Sequence, residues 1–168
     1  KGVRMKISSW TRLDHNTMPP AAKTVGNYVN SSLAKVEALK AGYDEAIMLN
    51  PQGFVSECTG ENIFVVRNGV ILTPPLSAGA LEGITQDCVA KIAAELGYEM
   101  RVENIVRSDL YIAEEIFCCG TAAEVSAINS VDDREVPCPG PITTAVAGLY
   151  AKAVRGQVAH YKHWCELA

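Results

Sequence analysis

Positive charge is in short supply: 15 Lys and Arg stand against 19 Asp and Glu, a formal net charge of -4 over 168 residues. With no basic excess, and no stretch that interleaves Lys or Arg with aromatic residues, nucleic acid is not an expected partner. No apolar run approaches the roughly 20 residues that a membrane-spanning helix needs. The opening residues KGVRMKISSW carry neither the apolar core nor the cleavage pattern of a secretory signal. A cytoplasmic protein with no membrane partner is the expectation. The six cysteines, Cys58, Cys88, Cys118, Cys119, Cys138 and Cys165, lack the paired spacing of a zinc site and read as reduced, mostly structural thiols. Also missing are HExxH, a GxSxG elbow, a Walker loop and a GxGxxG after a strand, which weakens metalloprotease, serine-hydrolase, NTPase and dehydrogenase readings.

What is present fits one soluble globular domain: 48% of residues are hydrophobic, 20% are charged, and the length suits a single core. From Thr24 to Ala41, Val25, Tyr28, Val29, Leu33, Val36 and Leu39 recur at helical spacing, and Gly42 stands where a C-terminal cap belongs. This predicts a helix directly after Lys23. EAIMLN and FVSEC read as short strands around Pro51-Gln52-Gly53. Asn62 to Arg67 and Val70 to Thr73 flank Asn68-Gly69, the dipeptide suited to a type I′ hairpin. Beyond the Pro- and Gly-rich PPLSAGALEGIT come a helix closed by Gly97, a strand from Tyr98 to Val106, a short capped turn at Arg107 to Leu110 and a strand before Gly120. Gly140-Pro141 opens a last helix to about Arg155, followed by a tail with His160, His163 and Trp164. Hairpins mixed with helices predict an α+β domain with a curved, largely antiparallel sheet and flanking helices. Val3 to Trp10 begins abruptly as a strand, so an earlier segment is expected to be missing.

Four places could carry chemistry, and each has a plain structural alternative. Lys23 follows Pro19-Pro20-Ala21-Ala22, whose small side chains would let a bulky group reach its amine; it is otherwise a solvated charge. Glu57 and Glu61 lie between strands that are nearly free of charge. A carboxylate there can hold a proton on a pyridine nitrogen, or the two are exposed turn acids. Gly83-Ile84-Thr85 runs a Gly-containing loop into a helix whose free N–H groups attract a phosphate, unless Thr85 is an ordinary cap. Gly120-Thr121-Ala122-Ala123 is a small-residue turn able to present backbone N–H groups to an anion. The three histidines lack a matching partner set.

In their order and spacing, PPAAKTVGNYVNSSLAK, SECTGENIFVVRNG, LEGITQD and CGTAAEV resemble the fold-type IV aminotransferases, specifically the bacterial branched-chain amino acid enzymes. The resemblance implies pyridoxal 5′-phosphate as cofactor, Lys23 as its Schiff-base (aldimine) partner and as the base that moves the α-proton, and Glu57 on the pyridine nitrogen. It further implies Tyr28 at the phenolic oxygen, Leu81 against the ring, Ile84, Thr85 and Thr121 at the phosphate, and Thr121 and Ala122 at the substrate carboxylate. The implied reaction moves the amino group of leucine, isoleucine or valine to 2-oxoglutarate. Under the same resemblance, residues 1–168 form the cofactor-binding large domain, and the smaller N-terminal domain of the family is absent from the chain. A homo-oligomer is implied, with Ile63, Phe64 and Leu149 as candidate subunit contacts. A D-amino acid aminotransferase or an aminodeoxychorismate lyase of the same fold, or a non-catalytic fragment, are the alternatives.

Overall fold

The computed structural model describes residues 2–165. Its strands are β1 (Val3–Ile7), β2 (Glu45–Leu49), β3 (Val55–Cys58), β4 (Asn62–Arg67), β5 (Val70–Thr73), β6 (Met100–Val102), β7 (Glu115–Gly120), β8 (Glu124–Val131) and β9 (Arg134–Glu135). They form one sheet in the order β3-β2-β1-β8-β7-β4-β5-β6, with β9 beside β8. Among the described residues β1 runs parallel to β2 and β8, and β5 parallel to β6, while the other pairings are antiparallel. The Val55 N–H donates to the carbonyl of Ile105 at 2.8 Å, and Phe54 bridges Val106. The chain leaving β6 therefore comes round to β3 at the opposite edge, which curls the sheet into a half-barrel. The domain is α+β, as the mixture of hairpins and helices predicts. At Asn68 and Gly69, φ is 51° and 72°, the left-handed pair of values that a type I′ hairpin requires.

Alternation along the central strands separates two apolar cores. Ile63 and Val65 of β4 and Ile116 and Cys118 of β7 point into the barrel with Met5, Ile47 and Ile128. Phe64, Val66, Phe117 and Cys119 point outward to α2 (Ile84–Glu95) and α4 (Pro141–Ala153), where Val89, Ile92 and Val146 cover them. Phe64 and Phe117 stack with ring centres 4.7 Å apart. Cys118 and Cys119 thus serve opposite faces, as neighbours in a strand must. Because β4 is covered on both sides, Ile63 is fully buried in the inner core and Phe64 in the outer one, and neither is a subunit contact; Leu149 is half-buried against the outer core.

The helix after Lys23 forms, with its apolar positions turned outward. A 3-10 turn, Val25–Asn27, leads into α1 (Tyr28–Lys40). Its apolar stripe is exposed, Val25 at 88% and Val29 at 64%. What α1 buries is small: Ala34 and Ala38 pack on Ala46 and Met48 of β2. Polar residues on the same helix hold the long segment after β1. Asn30 accepts from the Leu13 N–H and donates to the Thr11 carbonyl, while the carboxylate of Glu37 accepts from Ser8 Oγ and the Ser9 N–H. Side chains without bulk let helix, strand and loop approach closely, and hydrogen bonds fix the loop in place.

The strand β8, eight residues long and central in the sheet, has no clear sequence pattern. Its EVSAINSV run contributes Val125 to one core and Ile128 and Val131 to the other, so no single apolar face emerges. The tail also folds, as a 3-10 helix at Ala159–Trp164. His160 Nε2 lies 3.0 Å from Glu95 Oε2, which also accepts from the Tyr161 hydroxyl at 2.5 Å. Sequence distance hid that partner, 65 residues away. α3 (Arg107–Tyr111) begins where expected, with Asp109 accepting from the Val106 N–H.

Candidate active site

A small cleft opens where the segment after β1, the start of α1, the β3–β4 turn and the loop before α2 converge; its lining includes Lys23, Tyr28, Glu57, Asn62 and Leu81. Lys23 sits in a loop that Asn27 ties down by donating from Nδ2 to the carbonyls of Pro19 and Ala22, at 3.0 and 2.8 Å. The Thr24 N–H closes the turn onto the Ala22 carbonyl at 2.7 Å. Lys23 is exposed on the cleft wall. Tyr28, the first residue of α1, lines the same cleft instead of following Lys23 on a continuous helix, because the 3-10 turn intervenes.

Glu57 sits opposite in character: it is only 6% exposed although charged. Its Oε2 accepts from the Leu81 N–H at 2.9 Å, and its Oε1 lies 2.6 Å from Arg12 Nη2. Arg12 is equally buried, donating from Nε to the Gly79 carbonyl and from Nη1 to Ser31 Oγ, both at 3.1 Å. Burial pushes the Glu57 carboxyl above its ordinary range, and the Arg12 guanidinium and the Leu81 N–H pull it back. Glu61, partly buried in the turn, is also raised, by burial first and then by the charge of Glu45. Neither is the fully exposed turn acid of the plainer reading.

Ile84, Thr85, Thr121 and Ala122 lie outside the cleft lining. Gly83 stands against Asn62, close enough that a Cβ would overlap Asn62 Oδ1, and Gly120 stands against Gly60 and Glu61. The N-terminus of α2 and the turn after β7 thus flank the segment 59–62. Among the described residues no side chain caps the N–H groups of Ile84 and Thr85, while the Gln86 side chain accepts from the Gly83 N–H at a long 3.4 Å. Ile84 is 83% exposed, whereas Thr85 is buried beside Tyr150. Thr121 and Ala122 are exposed.

A buried carboxylate braced by a cation and an accessible lysine thus line one cleft, with the N-terminus of α2 close to the segment 59–62. The family model for class IV amino-transferases matches residues 1–131. The chain belongs to the class IV aminotransferases. Against curated members of that family, it is 48% identical over 167 residues to a probable branched-chain-amino-acid aminotransferase of Aquifex aeolicus, covering 98% of this chain and 54% of the relative. It is 41% identical over 169 residues to the branched-chain-amino-acid aminotransferase of Escherichia coli K12, covering 99% and 54%. This class IV chain therefore spans about half the length of the curated relatives it matches. Its fold superposes on the branched-chain aminotransferase of Thermoproteus uzoniensis with norvaline at a TM-score of 0.96 and 48% identity, covering 98% of this chain and 55% of that one. The branched-chain amino acid aminotransferase of Thermobaculum terrenum in its PLP-form gives 0.95 and 42%, covering 98% and 54%.

Arg12, Asn27, Ser31 and Asn62 were not legible as site residues. Arg12 lies 45 positions from Glu57 in an ordinary polar segment, and only the path of that segment over α1 brings the two together. A lone arginine in a loop has no signal of its own.

Proposed function

We propose that this chain is the cofactor-binding large domain, residues 1–168, of a branched-chain amino acid aminotransferase using pyridoxal 5′-phosphate. The observation that carries the reading is the pairing, across one cleft, of an accessible Lys23 with a buried Glu57. The residues present fit the cofactor in three respects. Glu57 is an acceptor suited to a ring nitrogen, the α2 N-terminus at Ile84 and Thr85 offers uncapped N–H groups to a phosphate, and the buried Asn27 Oδ1 has no partner among the described residues. When bound, the cofactor supplies an electron sink for the carbanion formed as the α-proton leaves.

The chain's own groups then have separate tasks. Lys23 anchors the cofactor through its amine and, once released, carries the α-proton between substrate carbon and product on Nζ. Glu57 holds the proton of the ring nitrogen. Tyr28 takes the phenolic side and Leu81 packs on the ring. Ile84, Thr85 and Thr121 bind the phosphate, and Thr121 with Ala122 hold the substrate carboxylate. The substrates of this reading are leucine, isoleucine or valine with 2-oxoglutarate. A homo-oligomer is part of it, with the exposed apolar residues of α1 as a surface to be covered. A cytoplasmic location goes with the six free thiols.

Adding pyridoxal phosphate to the purified protein should give a visible absorption band that leucine and 2-oxoglutarate discharge and restore in turn. In Lys23→Ala the band should be absent and transamination should fall to background. A band of equal strength in that variant would remove Lys23 from the role and the reading with it.

A further inference from the structure

The geometry around Glu57 points to Arg12 as a positioning residue that decides where one proton sits: we propose that its guanidinium keeps Glu57 ionised and thereby keeps the proton on the nitrogen of the bound heterocycle. This rests on the cofactor reading above and adds a residue to it. Arg12 is held at three points, by Glu57 Oε1 at 2.6 Å, by the Gly79 carbonyl and by Ser31 Oγ, so β3, the loop before α2 and α1 all fix its orientation. One carboxylate oxygen is therefore committed to the guanidinium. The other, Oε2, accepts from the Leu81 N–H, with Asn62 Nδ2 at a long 3.4 Å.

A carboxyl group facing a pyridine nitrogen has two ways to share a proton. Either the carboxylate faces a cationic ring, or a neutral carboxylic acid faces a neutral ring. In a site as buried as this one, the neutral pair buries no charge and is favoured when nothing else acts. A fixed cation reverses the order. Arg12 touches the carboxylate itself, so it lowers the proton affinity of Glu57 more than that of a ring one group farther away. Guanidinium does not lose its proton in this range, so the bias cannot titrate away. The proton moves from Glu57 Oε2 to the ring nitrogen; no other bond changes. Two further charges face Glu57, Glu61 and Lys23, with opposite and smaller effects, and neither touches it as Arg12 does.

The decisive measurement is the 15N chemical shift of the ring nitrogen in protein loaded with ring-labelled pyridoxal phosphate. Wild type should show a pyridinium nitrogen. Arg12→Gln should move the shift toward neutral pyridine, and should lower kcat by roughly 10–100-fold, the range seen when an outer partner of a functional group is removed, with KM within about threefold. Arg12→Lys keeps the charge and should keep the pyridinium signal. In a Glu57→Gln background, Arg12→Gln should produce no further displacement, because the effect passes through Glu57; a role in packing alone would leave the shift untouched in both backgrounds. A folded, loaded Arg12→Gln protein with an unchanged nitrogen overturns the proposal. If that variant does not fold or load, Arg12→Lys decides: a neutral nitrogen there, or in wild type, overturns it. Absence of a Lys23-dependent band in wild type would instead overturn the cofactor reading beneath it.

Discussion

Two buried glutamates, Glu57 on β3 and Glu115 on β7, look alike by every local measure and do different things. Each is nearly inaccessible, at 6% and 4%, and each accepts backbone N–H groups from a distant segment. Glu115 spans the N-terminus of α4, taking the Ile142 N–H on Oε1 at 3.0 Å and the Thr143 N–H on Oε2 at 2.7 Å. Gly140 precedes that helix and supplies no side-chain cap, and a Cβ there would overlap the Glu115 carboxyl. A strand residue 27 positions upstream therefore caps the helix, and glycine is what lets it approach. Both oxygens of Glu115 are used up inside the fold. Glu57 has a guanidinium on one oxygen and, on the other, the Leu81 N–H with Asn62 Nδ2 at a long 3.4 Å, and it lines an open cleft. The lesson is that a buried carboxylate becomes chemically available only where the fold satisfies it incompletely beside a cavity.

The comparison can be broken hardest at Glu57. Glu57→Gln in the loaded protein should cost roughly 10²–10³ in kcat, the usual scale for removing a preorganised electrostatic partner. The same change leaves the Arg12 charge buried and unpaired, so urea unfolding should register a loss of about 3 kcal/mol, which Arg12→Gln in the same chain should recover in part. An intact kcat would remove Glu57 from the site. Glu115→Ala should do the reverse: a loss of about 2–4 kcal/mol, from a missing cap and two orphaned N–H groups, with the turnover of folded molecules unchanged within about twofold. Loss of turnover at full stability would mean that the two glutamates are not separable in this way. Gly140→Ala, tested by the same unfolding curve, should cost about 1–3 kcal/mol by displacing the Glu115 carboxyl. The smallest effect concerns pH. Burial raises the folded pKa of Glu57 above its unfolded value, so its ionisation opposes folding. The penalty is absent below the ordinary carboxylate range and grows as pH rises through the raised value. Urea midpoints between about pH 4 and 7 should fall more steeply with rising pH in wild type than in Glu57→Gln; parallel curves would show that Glu57 titrates normally.

The helices carry a related comparison. In α4 the apolar spacing and the buried face agree, with Ile142, Val146 and Tyr150 turned inward. In α1 they disagree: the spacing located the helix to within a turn, but its apolar positions are the exposed ones. Periodicity reports that apolar residues share one side, and is silent on whether that side meets this chain. Strand β8 failed for the opposite reason, since a strand that sends apolar residues to both cores among small and polar ones has no alternation to read. The Asn68-Gly69 hairpin was fully legible because its chemistry is local. Lys23, Tyr28, Glu57 and Leu81 were legible as members of motifs in order, and the fold brings them to one cleft.

By itself the sequence determined the α+β class, the hairpins, most helix positions and the residue types a class IV aminotransferase needs, because those follow from turn chemistry, local spacing and motif order. Only the tertiary structure decided that Glu57 is buried, that Arg12 braces it, and that α1 turns its small residues inward. Those outcomes depend on contacts between segments tens of residues apart, and on burial, which changes the ionisation of a carboxyl without changing a letter of the chain.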